Sequence, residues 1–122
     1  MAEAIARQHA NDIIAPSSAG LTALGRLTDL TVKTLLANGY SVVGLSSKPF
    51  RHEGIKNFDL IINLSGEPRD RDFAGIVKVE NWKVEDPYGQ EPAVYQRILE
   101  ELESRVLLLA GRLRTAQQKA SA

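Results

Sequence analysis

The sequence predicts an α/β domain in three layers around a parallel sheet. Segments with helical periodicity alternate with short apolar runs, no two runs are joined by hairpin-type turn residues, and residues 58–64, FDLIINL, form a nearly continuous apolar run. Alternating helices and strands imply crossover connections and hence parallel pairing, and a strand covered on both faces loses the polar alternation of a half-exposed one. With 122 residues, 43% hydrophobic and 25% charged, the chain has the length and composition of one domain with a single core.

Each element follows from local chemistry. Residues 1–9 read as a helix with Met1 and Ile5 on one face, yet no Ser, Thr, Asp or Asn precedes Met1 to cap its first N–H groups. Residues 12–16, carrying Ile13 and Ile14, read as a short strand that runs into the turn-rich Ser17-Ser18-Ala19-Gly20. Thr28 is the predicted N-cap of a helix over 29–38, with Leu30, Thr34 and Leu35 on one face and Gly39 as the stop. Residues 40–43 extend briefly, and residues 44–54 read as loop. Residues 58–64 are the predicted central strand, buried on both faces, residues 76–79 a second strand, and residues 82–90 a loop. Tyr95, Ile98, Leu102, Val106, Leu109 and Leu113 recur every three or four residues, which predicts a helix over 92–114 with Pro92 in its first turn. The domain spans 1–115, and the small, polar stretch 116–122 is expected to be a flexible tail.

Composition excludes several kinds of chemistry. Fifteen Lys and Arg against fifteen Asp and Glu give zero net charge, without the basic excess that a nucleic-acid or anionic-membrane surface requires. No apolar run is long enough to span a bilayer and the first ten residues lack a signal-peptide core, so a cytoplasmic location is expected. There is no cysteine and there are only two histidines, His9 and His52. Thiol nucleophiles, disulfides and cysteine metal sites are therefore absent from this chain, and neither a metal nor a cofactor is expected. Arg51 and His52 fall in a loop, where a solvated surface role is the default.

Four segments in order, MAEA at 1–4, SSAG at 17–20, FDLIINL at 58–64 and W-x-V-x-DPYG at 82–89, followed by a long terminal helix, resemble the low molecular weight protein tyrosine phosphatases. The thioredoxin-coupled arsenate reductases share the pattern. The resemblance covers nearly the whole chain and implies the phosphotyrosine protein phosphatase I-like fold. It also implies hydrolysis of aryl phosphate monoesters through a cysteinyl-phosphate, with a phosphorylated protein or a small aryl phosphate as substrate.

By this resemblance Asp86 is the general acid that protonates the departing oxygen, on a loop fixed by Pro87. Tyr88 is the aromatic rim that packs against the substrate ring, and Ser18 supports the phosphate-binding loop. On their own, Asp-Pro-Tyr-Gly is also simply a good turn, and Ser18 a polar turn residue. Leu45 stands where many relatives carry a bracing histidine and cannot donate a hydrogen bond. Ser65 stands where the reductases carry a redox cysteine, which leaves their disulfide cascade without a thiol.

The family's Cys-x5-Arg phosphate loop and first, central strand would precede MAEA, and the chain as read starts after them. The expectation is therefore a sheet without its first central strand and a chain that is inactive as it stands. The open position is expected to be met in one of three ways: a longer natural protein, direct pairing of 13–16 with 60–64, or a homo-oligomer that completes the sheet. A non-catalytic binding or self-association module is the alternative function, and an arsenate reductase relative the weaker one.

Overall fold

In the computed structural model, residues 1–19, 28–46, 48, 52–65, 73, 75–87 and 89–121 are described below. The first helix, α1, spans Ala2–His9 with Met1 as its N-cap, and no side chain caps it, as the lack of a start signal implied. Ala4, Ile5 and Ala6 are buried. The second, α2, spans Asp29–Ala37; the Thr28 hydroxyl accepts the Thr31 amide at 3.4 Å, and Thr34 and Leu35 are its buried face. Its end is set by Gly39 at φ +81°, a left-handed conformation that lets the Tyr40 amide turn back to the Leu35 carbonyl at 2.9 Å.

The sheet consists of β1, Leu60–Asn63, and β2, Lys78–Asn81, paired in parallel with Leu60 opposite Lys78 and Asn63 opposite Asn81. Two of the three predicted strands, and the parallel sense of their pairing, are therefore present. β2 begins two residues later than expected because the Ile76 and Val77 amides are bonded to the Phe73 carbonyl. β1 is shorter than the apolar run and is not sealed on both faces: Leu60, Ile61 and Ile62 are half-buried, Phe58 is 44% exposed and Leu64 37%. Among the described residues β1 has one paired neighbour, so less of it is covered than a central strand would have.

The strand expected over 12–16 does not form. The Ala10 carbonyl accepts both the Ile13 amide, at 3.1 Å, and the Ile14 amide, at 2.8 Å, which curls this stretch into a turn that continues without regular structure to residue 19. Direct pairing of this segment with β1 is thereby overturned. A 3-10 helix, His52–Asn57, occupies part of the stretch read as loop and buries Ile55.

The last helix, α3, spans Pro92–Ser121 and continues beyond the end at Arg114 that the apolar stripe suggested, because residues 115–121 are good or neutral helix formers with no breaker among them. Tyr95, Ile98, Leu102, Val106 and Leu109 are buried as predicted, joined by Leu99 and Ala110. The core is built on this stripe, with Ala4, Ile5 and Ala6 of α1, Leu35 of α2, Tyr40 and Trp82 packed against it. The result is an α/β fold with a small parallel sheet and three α-helices among the described residues.

Candidate functional site

In a parallel sheet the chemistry gathers where the strands end at their carboxyl side, since the loops leaving there converge. At that edge Asn63 and Asn81 face each other, with Asn63 Nδ2 donating to Asn81 Oδ1 at 2.8 Å. The Asn63 carbonyl accepts the Trp82 amide at 2.9 Å, and its side-chain oxygen accepts the Ser65 amide at 3.0 Å. This asparagine pair fixes the two exits from the sheet, one toward Ser65 and the other toward Asp86.

Asp86 lies on the irregular segment from β2 into α3 and is exposed. The segment is tied down on either side of it. Trp82 is buried, with its Nε1 donating to Glu80, and the Arg105 guanidinium lies 5.8 Å from the Trp82 ring centre. Arg97 pairs with Glu85 at 2.7 Å. Beyond Asp86, the Gln90 amide bonds the Pro87 carbonyl at 2.9 Å, closing a turn whose third residue, Gly89, sits at φ +79° where a side chain would be strained. Tyr88 lies outside the described residues, as do Gly20 and Arg51.

Ser18 is placed at the amino end of α1, where its Oγ donates to Glu3 Oε1 at 2.6 Å. Glu3 is 6% exposed, an acidic side chain buried in the first helical turn. Its other oxygen faces the Arg7 guanidinium in an ion pair without a well-formed hydrogen bond, and the Lys48 ammonium lies 3.9 Å from Oε1. Arg7 also donates to the Val43 carbonyl at 2.9 Å, so it joins the helix to the 43–44 turn. Leu45, just after that turn, packs against the core. Asp86 and Ser18 thus belong to two separately braced clusters, one at the sheet edge and one at the start of α1.

Sequence reasoning did not single out Glu3, Arg7, Lys48, Asn63 or Asn81. A signal existed for three of them: Glu3 and Arg7 stand four apart on α1, the spacing of a helical ion pair. Asn63 interrupts an apolar run where a buried amide must find partners.

A third polar network ties the helices together. Tyr40, 3% exposed, donates its hydroxyl proton to Glu103 of α3, so the His9 Nε2–H at 3.0 Å is the donor to the tyrosine oxygen. Burial first, and then the Glu103 carboxylate, push the Tyr40 phenol well above its usual range. At the surface, Arg114 grips Asp12 with two hydrogen bonds, at 2.7 and 2.8 Å, and holds its carboxyl below the ordinary value. Arg112 does the same for Glu80. No helix among the described residues is long and apolar enough to cross a membrane.

Several solved structures share this fold. An arsenate reductase in its reduced state is 25% identical, with 91% of this chain and 86% of that one covered and a TM-score of 0.74. The tyrosine phosphatase Wzb from Escherichia coli K30, in complex with sulphate, is 19% identical over 92% and 87% of the two chains, with a TM-score of 0.76. The low molecular weight protein tyrosine phosphatase from T. tengcongensis is 24% identical over 92% and 88%, with a TM-score of 0.78. No curated protein sequence matches the chain. The model of the low molecular weight phosphotyrosine protein phosphatases matches residues 1–119, almost the full sequence, and the chain belongs to that family.

Proposed function

We propose that these 122 residues carry the acid-loop side of a phosphatase site and, as they stand, hydrolyse no phosphate ester. The observation that carries this reading is the complete absence of cysteine. A cysteinyl-phosphate mechanism requires a thiolate to attack phosphorus as the ester oxygen leaves, and a serine or threonine hydroxyl cannot replace it without a general base beside it. In this reading Asp86 is the acid that protonates the leaving oxygen, its exposed position on a braced loop leaving it accessible to substrate. Tyr88 contacts the aryl ring, and Ser18 supports a phosphate-binding loop at the amino end of α1. The substrate class, when a nucleophile is supplied, is an aryl phosphate monoester on a protein or small molecule. The setting is the cytoplasm, and the working unit is residues 1–115, beyond which α3 continues as a helix to Ser121 instead of the expected flexible tail.

The test is hydrolysis of p-nitrophenyl phosphate by the purified chain. Release of nitrophenol no faster than in a protein-free blank is expected; phosphate-inhibited turnover, or a phosphorylated intermediate trapped and weighed by mass spectrometry, overturns the proposal.

A non-catalytic binding role is the second reading, and Leu45 favours it. Where relatives place a hydrogen-bonding brace, this chain has a partly buried aliphatic side chain packed against the core. A reductase reading gains nothing from the chain, since a disulfide relay needs thiols and position 65 is serine.

A further inference from the structure

The outer face of α3 is built differently from an ordinary solvated helix surface. Opposite its buried stripe run Ser104, Leu107, Leu108, Gly111, Thr115 and Gln118, an uncharged ridge about four turns long in a chain that is one quarter charged. Leu108 is 71% exposed and Leu107 48%. At Gly111, between the leucines and Thr115, an added Cβ would meet nothing within 4 Å, so another backbone can approach closely there. Beside the ridge lies a shallow groove of about 270 Å³ lined by Trp82, Arg105, Leu108 and Arg112. Two adjacent exposed leucines flanked by Ser104 and Gly111 give this face a small contiguous apolar patch.

The charges along the helix say what covers it. The turn before the ridge is acidic at its surface, with Glu100 and Glu101, and the far end is basic, with Arg112 and Lys119. In an antiparallel pair of α3 helices centred on Leu108, Glu101 lies seven residues before the centre and opposes Thr115, seven residues after it. The neighbours of Thr115 on that face, three residues back and four on, are Arg112 and Lys119. Each Glu101 would then sit between two cations of the other copy, whereas a parallel pair would set Glu101 against Glu101. Glu101 already touches Arg105 of its own helix at 3.4 Å, and Arg112 bonds Glu80, but a guanidinium has five donors and can serve both. Arg97, at the acidic end, is neutralised by Glu85.

We propose that the outer face of α3 is a self-association surface on which a second copy of this chain docks its own α3 antiparallel, with Leu108 at the two-fold axis. The surface is distinct from the sheet edge and from the Asp86 loop. Centred on Leu108, two copies of α3, Pro92–Ser121, overlap from residue 95 to residue 121, so the seam is about 40 Å long and roughly 10 Å wide. That corresponds to on the order of 800 Å² buried in total, below the size of a stable complex, so the dimer is weak and reversible.

Sedimentation equilibrium of the full chain at about 100 μM, a concentration that resolves micromolar association, is the test. A dimer is expected that dissociates at least about tenfold more readily in Leu108→Glu, which keeps its helical circular dichroism because the side chain faces solvent. The absence of native cysteine permits a second readout. Mild oxidation should link Leu108→Cys to itself, whereas Ser104→Cys and Thr115→Cys, which face other residues in the antiparallel pair, should not self-link. A chain that remains monomeric overturns the proposal, whatever other partner covers the ridge. A dimer indifferent to Leu108→Glu, or equal self-linking at positions 104, 108 and 115, overturns it as well.

Discussion

The Ser18 hydroxyl donates a 2.6 Å hydrogen bond to Glu3, binding the irregular segment after α1 back to that helix's own first turn. Because Glu3 is 6% exposed, its charge is carried by this bond, by Arg7 and by Lys48 rather than by water. Ser18→Ala is expected to lower unfolding free energy by about 1–2 kcal/mol in urea denaturation, the range for a hydrogen bond to a charged acceptor. A Ser18→Ala, Glu3→Gln double-mutant cycle should show a non-zero coupling, which a merely exposed turn serine would not give.

Tyr40 sets an alkaline limit on stability. Its phenol is raised in the folded state relative to an ordinary value of 10.0, so the neutral form is favoured by folding. The stabilisation is fully present below about pH 10 and is lost as pH rises further and the unfolded state gives up its proton first. Thermal melts of the native chain should therefore fall above pH 10 more steeply than those of Tyr40→Phe. At pH 7 the same substitution should cost about 1–2 kcal/mol, since Glu103 loses its donor.

The acid limb has the opposite sign. Asp12 and Glu80 are held below their ordinary values chiefly by hydrogen bonds from Arg114 and Arg112. Their contribution is present above the ordinary carboxyl range and declines as pH falls through it. Arg112→Gln and Arg114→Gln should each flatten the stability loss between about pH 5 and 2, and the wild-type slope should weaken in high salt because both pairs lie at the surface.

Core and surface leucines of one helix should diverge. Leu99, fully buried, should cost about 2–5 kcal/mol on truncation to alanine. Leu108→Ala, on the exposed side of the same helix, should change monomer stability by no more than about 0.5 kcal/mol. Chemical denaturation at low protein concentration checks both.

Gly39→Ala tests the stop after α2. At φ +81° with no atom within 4 Å of the added carbon, the cost is conformational rather than steric, about 1–2 kcal/mol, and Gly39→Asn should recover part of it.

The elements whose signals are local were legible in the sequence. The Thr28 cap, the Gly39 stop and the α3 stripe each depend on residues three or four apart, and all are present where expected. Strand identity depends on partners remote in sequence, and here reading failed in an informative way. Ile13 and Ile14 look like a strand, but a β-strand exists only against a neighbour, and the Ala10 carbonyl captured both amides first. Asp86 and Ser18 could be singled out only through resemblance, because Asp-Pro-Tyr-Gly and Ser-Ser-Ala-Gly are ordinary turn sequences. Lys48 beside Glu3 is a contact between residues 45 apart, which no spacing rule could supply.

Because α3 furnishes the common wall for α1, α2, Tyr40 and Trp82, and its Arg114 reaches back 102 positions to Asp12, the core closes only once α3 has been made. A ribosome that has released only the first ninety residues holds a polypeptide with its apolar faces uncovered, an obvious client for nascent-chain chaperones. Frameshifts and premature stops beyond that point would therefore cost the cell the whole module rather than its last helix.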